Sequence, residues 1–243
     1  MVSDEELAKL ASPGYWDARY DEILAGGQLH EWYRSFADLE GFLKLSLFQA
    51  YSVESNPRIL HLGSGDSTVP EELAKYGYHN QLCVDFSAVV VEMMTRRHVD
   101  IKGIEWQQID IRQMDEIPSQ SIDVAFDKST LDAMIHGSPW TPPPDVVDNT
   151  GRYMRELTRV LRPTGTFIYI TYRQPHFMRR ILSCEGTNWV INVETLSGLD
   201  SSFSYYGFTC TLAGARDVGN TVPARTGRDM RAEPSGAVES PEN

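Results

Sequence analysis

Short apolar runs alternate with helical stretches from Arg58 to Arg173, and this alternation constrains the fold more than any other feature. RILHLG (58–63), QLCVDF (81–86), IEWQQID (104–110), SIDVAFD (121–127) and TFIYITYR (166–173) have the length and apolar content of buried strands. Between them lie VPEELAKYG (69–77), closed by Gly77, and SAVVVEMMTRRH (87–98), capped by Ser87. A helix-like STLDAMIH (129–136) follows the fourth run, and VVDNTGRYMRELTRVL (146–161) precedes the fifth, with Arg162–Pro163–Thr164–Gly165 read as a turn. Such repetition predicts an α/β three-layer sandwich with a mostly parallel sheet covered on both faces. WVINVETL (189–196) and FSYYGFTCTL (203–212) have no helix between them. They are expected to add an antiparallel C-terminal hairpin, which makes seven strands.

The domain so delimited runs over residues 36–212. SFADLEGFLKLSLFQAY (35–51) has helical spacing of its apolar residues, with Ser35 as N-cap and Asp38 in the first turn. Residues 1–35 form a helical lead-in carrying Tyr15, Trp16, Tyr20, Trp32 and Tyr33, and residues 213–243 have the composition of a disordered tail. A hydrophobic share of 41% with 23% charged residues is that of an ordinary globular protein. No apolar run approaches the roughly 18 residues of a membrane span, and MVSDEELAKL reads neither as a secretory signal nor as a transit peptide. Cys83, Cys184 and Cys210 lie far apart without zinc or disulfide spacing, so reduced thiols in a cytoplasmic protein are expected. The net charge of −12 argues against nucleic acid as a partner. It favours a basic partner, or serves solubility alone.

In open α/β sheets the ligand sits beyond the carboxyl ends of the strands. The turn Gly63–Ser64–Gly65–Asp66 joins the first strand to its helix, where glycines let a ligand approach the backbone. The second strand ends in Asp85, 20 residues after Gly65, where a carboxylate can accept both hydroxyl hydrogens of an adenosine ribose. Together these features predict a Rossmann-like adenosine site. Thr68 occupies the position where a dinucleotide fingerprint has its third glycine, which disfavours a pyrophosphate-bearing cofactor such as NAD. S-adenosyl-L-methionine has no phosphates and tolerates the change. Asp110, at the end of the third strand, is either an adenine-side contact or an ordinary turn residue.

Through ILHLGSGDS, VDFS, QQIDIR and LRPTGTFIYIT the chain resembles the class I, seven-strand S-adenosylmethionine-dependent methyltransferases, over about residues 12–212. YWDARYDE, EWYRSF and FDKSTLDAMI are similar to the narrower family that methylates lysines of translation elongation factor 1A, of the endothelin-converting-enzyme-linked type. The resemblance implies cofactor contacts at Trp16, Tyr20, Trp32, Gly63, Asp85, Phe86, Asp110, Ile111 and Lys128, with Ser64 and Gly65 completing the turn. Aromatic faces hold a sulfonium cation by about 0.5–2 kcal/mol. On this reading residues 1–35 are a cofactor lid; otherwise Trp16, Tyr20 and Trp32 are core aromatics. Lys128 either binds the methionine carboxylate, pairs with an acid, or is a surface lysine. Ser129 stands where the family motif commonly has glycine.

Methyl transfer from a sulfonium needs alignment and dehydration of the acceptor more than a nucleophilic side chain. A lysine acceptor must also lose a proton, which a carboxylate or tyrosine can route. Asp127 and Asp132 after the fourth strand, and Tyr172 and His176 after the fifth, are the catalytic candidates. Their plain alternatives are helix-terminus acids, a packing residue and a loop residue. The NPPY or DPPY motif of adenine and amide methylation is absent, and the six histidines show no metal-binding spacing. Protein-lysine methylation on an elongation-factor-like substrate is the leading expectation. A small-molecule methyltransferase and a non-catalytic S-adenosylmethionine-binding scaffold are the others. An apolar pocket behind the loop 137–145 would favour a small-molecule acceptor, and an open acidic groove a protein lysine.

Overall fold

The structure is a computed structural model, and it describes residues 3–183, 187–196 and 204–213. Strands β1 (Ile59–Leu62), β2 (Gln81–Asp85), β3 (Ile104–Gln108), β4 (Ile122–Lys128), β5 (Leu161–Thr171), β6 (Trp189–Leu196) and β7 (Tyr205–Leu212) form one sheet. Their order is β3-β2-β1-β4-β5-β7-β6. The first five are parallel, and β7 pairs antiparallel with both β5 and β6. The expected seven-stranded sandwich with its terminal hairpin is therefore what forms.

Around the sheet lie α1 (Asp4–Ala8), α2 (Pro13–Leu24), α3 (Phe36–Leu43), α4 (Val69–Lys75), α5 (Ala88–Arg97), α6 (Thr130–Ala133), α7 (Pro144–Val160) and α8 (Pro175–Leu182). Side-chain alternation along the strands splits the core in two. Leu60, Leu62, Leu82, Phe167 and Tyr169 face Tyr153, Met154 and Leu157 of α7 and Met178 and Leu182 of α8. Ile59, Val124, Phe126, Ile168 and Ile170 face Leu39, Phe42 and Leu43 of α3 and Val69 and Leu73 of α4. Each fully buried side chain of this kind contributes about 1.5–3 kcal/mol. A third cluster docks the lead-in: Tyr20 of α2 is buried against Val90 and Met94 of α5, with Trp16 and Ile23 alongside.

Four local expectations change. The helix over 35–51 is regular only to Leu43 and then widens into a π-type turn at Lys44–Phe48. The stretch 129–136 yields only the four-residue α6. Residues Arg162–Gly165 are not a separate turn. Leu161 already pairs with Ile122, and Thr166 pairs with Val124, so the intervening residues bulge out of β5. Leu161 is buried, which anchors the strand before the bulge. Finally, α8 was not foreseen. The tail from residue 214 and Cys184 lie outside the described residues. Cys83 and Cys210 are buried free thiols. Among the described residues no helix is long and apolar enough to cross a membrane.

Candidate functional site

The sheet order reverses between β1 and β4, and a cavity of about 280 Å³ lies outside the carboxyl ends of these strands. That is the topological switch point, where ligands of open α/β sheets bind. Trp16, Tyr20, Trp32, Gly63, Ser64, Gly65, Asp85, Phe86, Asp110, Ile111 and Lys128 all line it. Asp132 and Tyr172 line its other end. Asp127 and His176 are not on its wall.

The glycine turn is sterically dictated. Gly63 and Gly65 have φ of +58° and +52°, where side chains with a Cβ are strained. A Cβ on Gly63 would lie 2.3 Å from Thr130 Cγ2, and one on Gly65 would lie 2.7 Å from the Tyr20 hydroxyl. Thr130 donates to the carbonyls of Leu62 and Gly63, tying β1 to the start of α6.

Asp85 is buried, accepting from the Gly65 amide at 3.0 Å and the Ser87 amide at 2.9 Å. Burial pushes its carboxyl up to about 6 against those two bonds. Each oxygen accepts one amide and keeps further accepting capacity, and the side chain lines the cavity, as a diol contact requires. Asp110 is gripped by Arg112, whose Nε and second guanidine nitrogen lie 2.9 and 2.7 Å from its two oxygens. Burial opposes ionisation there, but Arg112 holds Asp110 below the usual carboxylate range. Arg112 also reaches the Ala11 carbonyl and Asn149, so it joins the lead-in to α7. Arg112 closes the QQIDIR motif, but nothing in that motif alone marks it as the link.

The aromatic wall comes from α2 and the segment behind it. Trp16 stacks on Tyr20 and meets Trp32 edge-on, each at 6.0 Å between ring centres. The Trp16 indole donates to the Leu10 carbonyl at 2.8 Å. Residues 30–32 are stapled over the loop that follows β1. The His30 amide donates to Asp66 at 2.7 Å. Glu31 accepts from Ser67 Oγ, the Thr68 amide and Thr68 Oγ1, and pairs with Lys128 Nζ. Lys128 also donates to the Trp32 carbonyl at 2.8 Å. Thr68 thus spends its hydroxyl on Glu31, a use that glycine at this position could not serve. Glu31 was missed by sequence reasoning because its partners are 36 to 97 residues away.

At the other end Asp132 is buried beside Arg173, with Nε 2.9 Å from Oδ1, and accepts from Thr171 Oγ1 at 2.8 Å. Its Oδ2 makes no close hydrogen bond, and the Tyr33 and Tyr169 hydroxyls stand near enough to steady the carboxylate. Burial raises its carboxyl to about 6, against the pull of Arg173. Tyr33, at φ +62°, packs on Tyr172 at 5.6 Å and on Tyr205 at 5.4 Å. Burial and the Asp132 charge raise the Tyr33 phenol well above its ordinary value.

The two remaining candidates sit elsewhere. Asp127 is fully buried and accepts from the amides of Thr130 and Leu131 and from the Tyr153 hydroxyl. It caps α6 rather than facing the cavity, and burial pushes its carboxyl up to about 7. His176 is exposed on α8 with its ring 3.9 Å from that of Phe177. Ser129 keeps the left-handed turn of a glycine, at φ +80°. His61, which the sequence did not single out, lines the cavity but is held by Gln81 at 2.7 Å. Burial depresses it to about 4, so it is neutral.

Comparison with known proteins gives one answer. A family model described as a methyltransferase domain matches residues 60–169. The chain is 35% identical over 185 residues to mouse EEF1A lysine methyltransferase 4, covering 75% of this chain and 69% of that one. It is 29% identical over 202 residues to the zebrafish eEF1A lysine and N-terminal methyltransferase, covering 81% of this chain and 27% of the relative. Among solved structures, a Leishmania major SAM-dependent methyltransferase aligns with a TM-score of 0.59 at 14% identity, over 86% of this chain and 91% of that one. The complex of DhpI with SAH aligns at 0.52 and 17% identity, over 83% and 95%. The structural likenesses establish the fold, and the sequence likeness goes further: this chain belongs to the family of class I S-adenosylmethionine-dependent methyltransferases that includes the eEF1A lysine methyltransferases.

Proposed function

We propose that this methyltransferase modifies the ε-amine of a lysine in a protein substrate, an elongation factor 1A in the first instance. The observation that carries the reading is the acceptor end of the cavity: a buried Asp132 on its wall, one oxygen outside the Arg173 and Thr171 contacts, beside Tyr33 and Tyr172. A carboxylate there would hold an entering amine and take up its proton. The names of the similar proteins point to the same substrate.

Bound S-adenosylmethionine supplies the methyl group from its sulfonium. The residues present fit it. Gly65 leaves the space that a Cβ would fill against Tyr20. Asp85 would take the ribose hydroxyls, with Phe86, Asp110 and Ile111 beside the adenine. Trp16, Tyr20 and Trp32 would present ring faces to the cation and act as the lid, keeping water out. Lys128 would hold the methionine carboxylate, and Glu31 keeps that lysine in place. Gly63 and Ser64 line the path between these two ends. Asp127 acts indirectly, by fixing α6 and hence Asp132. A cytoplasmic location accords with the free thiols and with a translation factor as substrate.

A small-molecule acceptor has one observation in its favour: an apolar cavity of about 520 Å³ does lie behind the 137–145 loop. Both readings meet in one experiment. The purified protein is incubated with methyl-labelled S-adenosylmethionine and elongation factor 1A, then with cell extract, and labelled products are identified by mass spectrometry. Label on a lysine of the factor is expected. Label confined to the small-molecule fraction overturns the reading.

A further inference from the structure

The second cavity shares only a wall with the first. Its lining includes Pro139, Pro142, Val147 and Phe177, and it meets the cofactor cavity at Tyr172 and Arg173. Arg173 is fixed between Asp132 and the Ile135 carbonyl, the latter at 2.6 Å, so the partition is built into the fold. An acceptor atom must come within about 3–3.5 Å of the methyl group. Anything seated in the second cavity lies beyond Tyr172 and Arg173, so it is not itself the methylated group. It is something attached to that group.

The groove is also open and unmatched. Val147 on its lining and Trp140 beside it are 55% and 65% exposed, large apolar side chains left in water. Trp140 is braced edge-on against Phe177 at 5.2 Å, and the prolines stiffen its loop. Arg180, on the lining, has no ion-pair or hydrogen-bond partner among the described residues, in a chain with twelve excess negative charges. The chain's own tail starts from the wrong end. Ala213 follows β7 where Thr211 pairs Thr166, just after the bulge in β5, whereas the groove lies beyond that strand's carboxyl end.

We infer that the groove between α7, α8 and the 137–145 loop seats the stretch of substrate polypeptide next to the acceptor lysine. An apolar side chain packs between Val147 and Phe177, and an acidic one reaches Arg180. This rests on the protein-lysine reading and adds to it how the substrate is chosen.

The test uses the full chain with Val147→Glu and Arg180→Glu, both at exposed positions. Steady-state kinetics with elongation factor 1A are read beside S-adenosylmethionine affinity by calorimetry. Expected is a tenfold or greater rise in KM for the factor in each variant, with cofactor affinity within twofold and kcat within threefold of wild type. Unchanged KM in both variants, with wild type still active on the factor, overturns the groove and leaves the proposed function standing. A wild type that methylates no protein lysine overturns both. Light scattering that shows Val147→Glu dissociating a dimer assigns the face to a second copy. Hydrogen exchange that shows residues 214–243 protected in wild type and released in the variant assigns it to the tail. Either result overturns the inference.

Discussion

Glu31 and Lys128, 97 residues apart in the chain, meet as an ion pair whose lysine is buried and lines the cavity, while the glutamate is half-buried. Removing one partner leaves the other charge buried without compensation, which costs more than the pair contributes. Glu31→Ala is therefore expected to destabilise the fold by about 2–4 kcal/mol. Thermal unfolding would fall by roughly 4–16 °C in a chain of this size. The double change Glu31→Leu with Lys128→Met should recover most of that loss yet bind S-adenosylmethionine at least tenfold more weakly. Calorimetry and melting curves on the three proteins separate the two effects.

Cofactor affinity should depend on the ionisation of Asp85. Its carboxyl is raised to about 6 by burial, and only the ionised form accepts two ribose hydroxyls. Affinity is expected to be flat above pH 7 and to fall up to tenfold per pH unit below 6, with proton release on binding. The sign for stability is opposite. The folded chain holds this proton longer than the unfolded one, so the free protein loses stability as pH rises from about 4 to 6. Calorimetric titrations across pH 5–8, with Asp85→Asn as control, check both.

Relief of the turn after Lys128 is expected from Ser129→Gly. A left-handed conformation costs a non-glycine residue roughly 1–2 kcal/mol, and the greater freedom of unfolded glycine returns part of it. A net gain of about 0.5–1 kcal/mol, or roughly 1–4 °C in Tm, should follow. Ser129→Val should lower Tm instead.

Asp132 and His176 should separate cleanly in kinetics. Asp132→Asn keeps the shape but loses the charge that would steady the amine, so kcat on a protein lysine is expected to fall about 100-fold or more. Cofactor affinity should stay within threefold. His176→Ala, on an exposed face of α8, should leave both quantities within twofold. Single-turnover rates with labelled cofactor distinguish these outcomes.

Strand positions were legible because β1, β2, β4 and β5 are nearly continuous apolar runs bounded by breakers, and Gly63, Gly65 and Asp85 follow from strand ends alone. Leu161 was not, because its pairing with Ile122 depends on a neighbour 39 residues away while Pro163 and Gly165 advertise a turn. Helix α8 has just two buried residues, Met178 and Leu182, too few for periodicity to register. Both Asp127 and Asp132 looked equally available. The amides of Thr130 and Leu131 draw the first inward, and only the folded chain sets the second on the cavity wall. Glu31 acts through partners brought together by folding, and although Arg112 pairs with Asp110 two residues away, its ties to Ala11 and Asn149 also come only with the fold.

The stapling of residues 30–32 across the loop after β1 has a thermodynamic corollary. A ligand gripped on one side by the glycine turn and on the other by Trp16, Tyr20 and Trp32 splints the leading segment to the sheet. Whatever free energy it gains from the aromatic side is also free energy holding that segment down. Occupancy of the cavity and attachment of this leading segment would then be a single coupled equilibrium, with the metabolite's concentration setting how firmly the segment is fastened.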